Sequence, residues 1–546
     1  MSAQSIPALR RIRVIVAVLV FALALAAFID FRDLFPNNLK HLVASVQFAP
    51  SAFSFATAFR VSALACLAVL ILTLVFGRVY CSVICPLGIL QDAISRISAK
   101  IRRVPPYRLP FRKARNALRH AILAATIGAL ALGWGGLALT WLDPYSNFGR
   151  IVSTFLRPAA AAINNLAATI TSALGYPDAL PHADVGLAAA GALLPPLVIF
   201  MVIALMASAR GRLWCNTICP VGTLLGLVSR RSLWRIDIDK SACRKCADCL
   251  HACKAQCIDL RAGEIDFSRC VACYDCISVC GQGGVKYRRR GLPAKRPGES
   301  GASPNDVRIL SNIPANSRRR GFIAVAATGA LSAVLARDTS ASDEGSRANN
   351  SEIELLERLD NPDVLAPPGA HSTARLLAQC TACQLCVSAC PSHVIEPAVL
   401  QYGSLVGLMK PHLDFNKGFC NLNCTVCTDV CPDGALTPLT PEAKQTTRIG
   451  LASIAHPRCI IVKDGTACGA CAECCPTAAL QMKKVPDYPE PVPVVDTRYC
   501  IGCGACQYAC PTHPKAIVVS GLATHEQAEL FVQEQVKPAT TDDFAF

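Results

Sequence analysis

Charge is scarce in this chain: of 546 residues only 17% are Asp, Glu, Lys or Arg, and 52% are hydrophobic. That balance excludes a disordered polymer and argues against a fully soluble protein. Nucleotide chemistry has no footing either, since there is no P-loop and no G-x-G-x-x-G following a strand. A Cys-x-x-Cys-His site for covalent haem is absent, and no flavin domain is evident. Histidine is sparse, with 10 residues. The apolar runs hold no interior histidine pair for haem: His120 lies at the end of one run, and His41 and His182 lie outside them.

Cysteine is abundant, at 31 residues. That is too many for an ordinary cytosolic enzyme, and the chain is too long and too apolar for a small disulfide scaffold. Charge is unevenly spread. Residues 1–337 carry 40 Lys and Arg against 15 Asp and Glu, and residues 338–546 carry 14 against 23. The two parts therefore suit different surroundings. The basic residues flank apolar runs, which favours a membrane surface over nucleic acid. The Arg288-Arg289-Arg290 run reads as linker or lipid-headgroup contact, not as a nucleic-acid site.

A membrane span needs about 20 mostly apolar residues. Four stretches approach this: Val14–Ile29, Arg60–Phe76, His120–Trp141 and Leu187–Ser208. The first needs its flanks or a tilt, and Arg60 would snorkel at one end of the second. Lys and Arg crowd the N-terminus and the 78–119 segment, whereas 142–186 carries only Arg150 and Arg157. By the positive-inside rule the basic segments are cytoplasmic, 142–186 is outside, and the chain from Arg210 is cytoplasmic again. A fifth, shorter run, Phe322–Ala336, follows Arg319-Arg320-Gly321-Phe322-Ile323, a twin-arginine pattern acting as an internal signal-anchor. Val334-Leu335-Ala336 resembles a cleavage site.

The cysteines outside the membrane fall into runs. Cys243-x2-Cys246-x2-Cys249-x3-Cys253 and Cys270-x2-Cys273-x2-Cys276-x3-Cys280 have two-cluster ferredoxin spacing, in which three cysteines wrap one cubane and the fourth crosses to the other. Cys243, Cys246, Cys249 and Cys280 are thus assigned to one [4Fe–4S] cluster, and Cys253, Cys270, Cys273 and Cys276 to a second. Lys254 and Gly281 stand where proline usually follows the fourth cysteine.

Four further runs follow: Cys380, Cys383, Cys386 and Cys390; Cys420, Cys424, Cys427 and Cys431; Cys459, Cys468, Cys471 and Cys475; and Cys500, Cys503, Cys506 and Cys510. The first and last match the spacing fully. The second has an x3 first gap and the third an x8 first gap. They account for four more clusters, six in all. Two pairings are open, neighbour with neighbour or nested, and the regular runs bracketing the irregular ones favour nesting, the first run with the last and the second with the third. Zinc sites usually mix cysteine pairs with histidine, and disulfides need no such repeated grammar. Cys66 reads as an apolar filler, Cys257 is spare, and Cys474 could replace Cys475.

An internal repeat supplies four more thiols. Gly77-Arg78-Val79-Tyr80-Cys81-Ser82-Val83-Ile84-Cys85-Pro86 matches Gly211-Arg212-Leu213-Trp214-Cys215-Asn216-Thr217-Ile218-Cys219-Pro220. Each copy follows a span, so the membrane part is two similar helical hairpins. The thiols are candidates for a seventh cluster, another metal, redox chemistry or structure.

The fold class expected is therefore membrane α-helical, two hairpins of four spans plus a fifth signal-anchor helix, with α+β ferredoxin-like dicluster domains. The domains run 1–235 (membrane, two Cx3CP repeats), 236–290 (dicluster ferredoxin), 291–320 (linker), 321–337 (signal-anchor) and 338–546 (four-cluster ferredoxin). Within the last, 338–370 is a weak linker.

Two Cx3CP repeats after paired spans, followed by a dicluster ferredoxin, resemble the NapH/MauN family of membrane ferredoxins and the electron-transferring part of NosR-type regulators. The second half is similar to NapG/MauM-type ferredoxins, a twin-arginine segment followed by four cysteine runs. The resemblance implies a fusion of the two that relays electrons from the quinone pool, as a quinol dehydrogenase component, to a partner oxidoreductase or cytochrome. That partner would be periplasmic, as in nitrate-reductase systems. It also implies a multi-pass protein of the bacterial inner membrane, with the first dicluster cytoplasmic and the C-terminal domain periplasmic. Such a relay needs a carrier inside the membrane, which the sequence does not display. Asp143 and His120, at span ends, are the candidates for a quinol site. Rival readings are a scaffold for metalloenzyme maturation or regulation, and a cytoplasmic polyferredoxin docked on a membrane redox complex.

Overall fold

The computed structural model describes residues 5–58, 63–101, 111–183, 185, 190–290, 363–486 and 488–530. The linker 291–320, the twin-arginine segment and fifth helix at 321–337, and Arg60 lie outside the described residues.

The first part is helical. Its elements are α1 (Ser5–Ile29), α2 (Asn37–Ser45), α3 (Phe48–Ala58), α4 (Ala63–Phe76), α5 (Tyr80–Val83), α6 (Pro86–Ile101), α7 (Asn116–Ala131), α8 (Gly135–Leu142), α9 (Pro144–Ile151), α10 (Arg157–Ala173), α11 (Ala190–Arg210), α12 (Leu213–Thr217) and α13 (Pro220–Ser229). Two stretches, Leu9–Ile29 and Gly191–Arg210, are long and apolar enough to cross a membrane. Only 28% and 22% of their most apolar windows are buried within the protein. Ile15, Leu19, Leu194 and Leu205 stand exposed on them. In water such faces would be a liability, whereas hydrocarbon suits them.

The other two expected spans differ. α4 has 14 residues, about 21 Å at 1.5 Å per residue. The His120–Trp141 stretch is not one helix. Gly133 adopts φ +80°, its N–H donates to the Leu130 carbonyl and that of Trp134 to Ala129. This paired motif ends α7, and α8 begins afresh at Gly135. An apolar run long enough to span is thus split by one left-handed glycine.

Short antiparallel strand pairs carry the ferredoxin parts. β1 (Trp234–Ile238) pairs with β4 (Val285–Arg289), with β2 (Ile258–Asp259) and β3 (Glu264–Ile265) paired between them. In the C-terminal half β5 (Ile395–Pro397) pairs with β6 (Pro411–Leu413). There β7 (Thr447–Ile454) pairs with β10 (Ile517–Gln527), around the β8 (Leu480–Lys483) and β9 (Val492–Val495) pair. The outer-and-inner arrangement of 234–289 therefore recurs over 447–527.

Buried polar contacts join the first ferredoxin to the helices. Arg78 donates to the Ser268 carbonyl at 3.1 Å and to Asn216 Oδ1 at 2.9 Å, and Arg119 donates to the same carbonyl at 2.9 Å. Asp92 of α6 accepts from Arg212 at 2.7 Å and pairs with Lys254. At the N-terminal end of α1, Arg10 pairs with Asp275 at 3.0 Å. The C-terminal ferredoxin meets α8 and α9. Ser146 Oγ stands 3.0 Å from Thr381 Oγ1, and Ser388 donates to Ser153 Oγ at 3.1 Å. A Cβ on Gly136 would lie 2.4 Å from the Ala378 carbonyl, and one on Gly149 2.4 Å from that of Cys383. Any side chain at either position would push the ferredoxin away.

Burial alone would raise the Asp92 pKa, but Arg212 and Lys254 outweigh it and hold the carboxyl well below the usual range. Its contribution to stability is present at neutral pH, above the unfolded value of about 3.9, and fades as pH falls toward the folded value. Asp92→Asn leaves two buried cations without their carboxylate and is expected to destabilise the protein by roughly 3–5 kcal/mol. Thermal denaturation of the detergent-solubilised protein, followed through its visible absorbance, measures the loss.

Candidate iron–sulfur centres

Local backbone chemistry shapes the regular cysteine runs. In Cys243–Cys249 the left-handed residues are Lys245 and Ala247, in Cys270–Cys276 they are Ala272 and Tyr274, and in Cys380–Cys386 they are Ala382 and Gln384. Cys500–Cys506 places Gly502 and Gly504 there, at φ +74° and +81°. Two left-handed residues at these fixed offsets curl the loop so that three thiols converge. The irregular runs take other routes: Thr425 and Gly469, after Cys424 and Cys468, have φ −115° and −134°.

Six thiol quartets result. Burial pushes the Cys249 thiol up to about 11, and Cys280, Cys243 and Cys246 add to the rise. Cys253, Cys270, Cys273 and Cys276 line one cavity. The thiols that the spacing groups together thus lie near one another. Cys257 lines the same cavity, its sulfur 3.5 Å from that of Cys253.

The nested pairing of the C-terminal runs is not what the fold adopts. Cys386 is raised by burial and by Cys380, Cys383 and Cys431. Cys427 is raised by burial and by Cys420, Cys390 and Cys424. Cys459, Cys468, Cys471 and Cys510 line one cavity, and Cys475, Cys500, Cys503 and Cys506 another. Neighbouring runs therefore share clusters. The strands give the reason: the β5–β6 hairpin returns the chain between the first and second runs, and the β7–β10 pair encloses the third and fourth. Cys475 faces its quartet, while the Cys474 thiol lies 3.4 Å from the Cys471 carbonyl. Lys254, in the place of a proline, serves the joint with Asp92.

The Cx3CP repeats form a seventh set. Cys81, Cys85, Cys215 and Cys219 are all buried. Burial and the neighbouring Cys215, Cys81 and Cys219 push the Cys85 thiol well up. The surroundings are reciprocal. Arg78 of the first copy reaches the Cys215 carbonyl at 3.4 Å, and Arg212 of the second hydrogen-bonds the Cys81 carbonyl. Arg78 Nη2 lies 3.7 Å from Cys81 Sγ, and Gln91 Nε2 lies 3.2 Å from Cys215 Sγ. The sequence reading missed these arginines, although their shared place in both copies, three residues before the first cysteine, was the available signal. Arg78 is fully buried and has no carboxylate partner among the described residues. A buried cation needs compensating partners, and Arg78 finds them in the Ser268 and Cys215 carbonyls, Asn216 and the Cys81 sulfur.

Thiolates on one zinc ion stand about 4 Å apart. Among the described residues no three His, Cys, Asp or Glu side chains gather closely enough for a single metal ion. In a cubane each cysteine binds a different iron.

Segment α9 lies between the Cx3CP set and the quartet of Cys380, Cys383, Cys386 and Cys431. Asp143 caps α9, accepting from Ser146 N at 2.7 Å. Burial pushes the Tyr80 and Tyr145 hydroxyls well up, with Cys85 and Asp143 adding at Tyr80 and Cys383 and Asp433 at Tyr145. Burial pushes the Asp433 carboxyl up to about 7 against the hydrogen bond from Thr381, and Asp143 adds to the rise. Asp143 is therefore a bridging residue. Neither it nor the exposed His120 lines the apolar cavity between α7 and α13. That cavity, about 390 Å³, is walled by α3, α7, α8 and α13, with Pro220 and Gln379 at its edge. Pro220 follows Cys219, and Gln379 precedes Cys380.

The chain is similar to ferredoxin-type proteins. A family model described as a 4Fe-4S binding domain matches residues 57–105 and 193–237, the two Cx3CP segments. A model described as a 4Fe-4S dicluster domain matches 379–435 and 466–513. Among curated proteins, the methylamine utilization ferredoxin-type protein MauM of Methylophilus methylotrophus is 31% identical over 154 residues, 26% of this chain and 62% of its own. The ferredoxin-type protein NapH of Haemophilus influenzae is 28% identical over 192 residues, 35% of this chain and 52% of its own. MauN of Paracoccus denitrificans is 28% identical over 181 residues, 33% of this chain and 49% of its own. The chain thus spans about half to under two thirds of these relatives. No solved structure matches it. The matches support an iron–sulfur electron-transfer protein like NapH and MauN.

Cluster pairing is open to direct test. With neighbouring runs paired, Cys380→Ser and Cys431→Ser strike the same cluster, so the double variant loses no more iron than either single, about four atoms. Nested pairing would cost two clusters. Iron analysis of the three purified variants separates the outcomes.

Proposed function

We propose that the chain is a membrane-bound iron–sulfur relay passing electrons between the quinone pool and a partner oxidoreductase on the outer face of the bacterial inner membrane. The observation that carries this reading is the series of buried thiol quartets in the packed helical and ferredoxin parts. The quartet of Cys253, Cys270, Cys273 and Cys276 lies in the ferredoxin held by Arg78 and Lys254 beside the Cx3CP set. That set is followed by α9 and the quartet of Cys383, and Cys420 N–H donates to the Cys503 carbonyl at 2.9 Å, joining the last two quartet pairs. Clusters on these cysteines supply one-electron carriage. In this reading the ferredoxin runs hold six, and Cys81, Cys85, Cys215 and Cys219 hold the carrier inside the membrane.

Helix α1 supports opposite sides for the two ferredoxins. Arg10 near one end meets Asp275, next to Cys276. Near the other end Phe28 packs on Tyr145 and Phe148, at 5.5 and 6.1 Å between ring centroids, beside Cys383. In this reading the first dicluster is cytoplasmic, as the basic segments require, and the second half is periplasmic, exported through Arg319 and Arg320.

The 390 Å³ cavity suits the quinol. Its volume and apolar walls lie in the range of small-molecule sites, and its lining includes Pro220, which follows Cys219, and Gln379, which precedes Cys380. A donor of two electrons there faces two one-electron acceptors. Leu224→Trp fills the cavity and is expected to slow reduction by a quinol analogue at least tenfold, on the order of 1.4 kcal/mol. Reduction by dithionite is expected to be unchanged. Stopped-flow absorbance with both reductants makes the comparison.

Sidedness is tested by fusing the C-terminus to a reporter active only outside the cytoplasm, with a matched Arg319→Lys/Arg320→Lys protein. The expected result is reporter activity lost in the lysine pair. A cytoplasmic C-terminus in both would place all clusters on one side and overturn the transmembrane relay.

A further inference from the structure

A second cavity has no cysteine in its lining, although Arg212 and Asn216 of the second Cx3CP segment border it. It measures about 200 Å³ and lies among the chain entering α7, the end of α11, the loop into α12 and the ferredoxin backbone at Ala255 and Gln256. Six cations line it, Arg112, Lys113, Arg115, Arg210, Arg212 and Arg269, and no Asp or Glu does. Two of the six are balanced from outside the lining, Arg212 by Asp92 and Arg269 by Asp266.

Arg269 carries the second observation. It is 5% exposed. Its Nε donates to Asp266 at 2.8 Å and its guanidinium lies over Phe111 at 5.4 Å, yet its Nη2 is buried without any acceptor. A buried N–H left unpaired costs free energy, and here it belongs to a cation in a cavity lined by cations. The group that completes the site is an anion with several acceptor oxygens.

The rest of the lining says which anion. Leu118 of α7 and Met206 of α11 also face the cavity, and both helices carry exposed apolar side chains, Ile127 on one and Leu205 on the other. A basic recess opening onto apolar helix faces accepts a charged head and an oily tail together. We propose that this cavity binds the phosphate of an anionic phospholipid, whose acyl chains run along Leu118 and Met206. Bound there, the lipid ties α7 and α11 to the ferredoxin, next to Asn216, which already donates to the Ala255 carbonyl at 3.3 Å.

The test uses the full chain, purified in neutral detergent and delipidated, titrated with phosphatidylglycerol or phosphatidylcholine and read by native mass spectrometry. Phosphatidylglycerol is expected to bind at least tenfold more tightly. The exposed triple variant Arg112→Ser/Lys113→Ser/Arg115→Ser is expected to weaken it on the order of a hundredfold, with full iron content. The Arg112→Lys/Arg115→Lys variant, which keeps the charge, is expected to bind like the parent. Equal binding of the two lipids by the unaltered protein overturns the proposal without recourse to any variant. So does undiminished phosphatidylglycerol binding by an iron-replete triple variant. Displacement of the lipid by equimolar inorganic phosphate shows a site for soluble phosphate and overturns the lipid assignment.

Discussion

The reciprocal grip of two buried arginines is the constraint around which the molecule is arranged. Arg78 and Arg212 come from equivalent places in the two Cx3CP repeats, and each crosses to the other copy to hold the carbonyl of its first cysteine. The crossing needs room at two helix starts. A Cβ on Gly88 would lie 2.6 Å from the Cys81 carbonyl and 3.2 Å from Arg212, and one on Gly222 2.1 Å from the Cys215 carbonyl and 2.9 Å from Arg78. Both positions are glycine for that reason. Four thiols are thereby enclosed between two similar helical units, with positive charge held against them where water cannot reach.

From that junction the ferredoxin parts are positioned. Arg78 also reaches Ser268 and Arg212 also holds Asp92, so the residues that close the thiol set dock the first ferredoxin. Lys254 occupies a position where this cysteine grammar usually puts proline, and the exchange gives the domain a cation for Asp92. On the far side α9 packs against the second ferredoxin, with Gly149 against the Cys383 carbonyl and Ser146 beside Thr381. Small residues make this close approach: Gly136, Gly149, Ser146 and Ser153 allow backbone against backbone.

Cost and function are linked in this arrangement. Burying arginines, a lysine and several carboxyls is expensive unless each is paired, and most of these groups are, through Asp92, Asp275, Asp266 and backbone carbonyls. Arg78 is held by two carbonyls and Asn216 and has no carboxylate partner among the described residues, while Arg269 Nη2 and Arg150 Nη1 are buried without an acceptor.

The sequence by itself carried the spacing grammar of the cysteine runs, because a cubane imposes fixed offsets on any chain that wraps it. It also determined the repeat, the basic and acidic halves and the two long apolar helices, since composition and length decide those locally. Tertiary structure alone decided which runs pair, because the returning strands β5–β6 and β7–β10 are set by register and not by spacing. It decided that His120–Trp141 breaks at Gly133, where a single left-handed residue outweighs continuous hydrophobicity. It also decided that four thiols 134 positions apart in two copies meet in one buried set. That convergence depends on Arg78 and Arg212 reaching across an interface that no local pattern encodes.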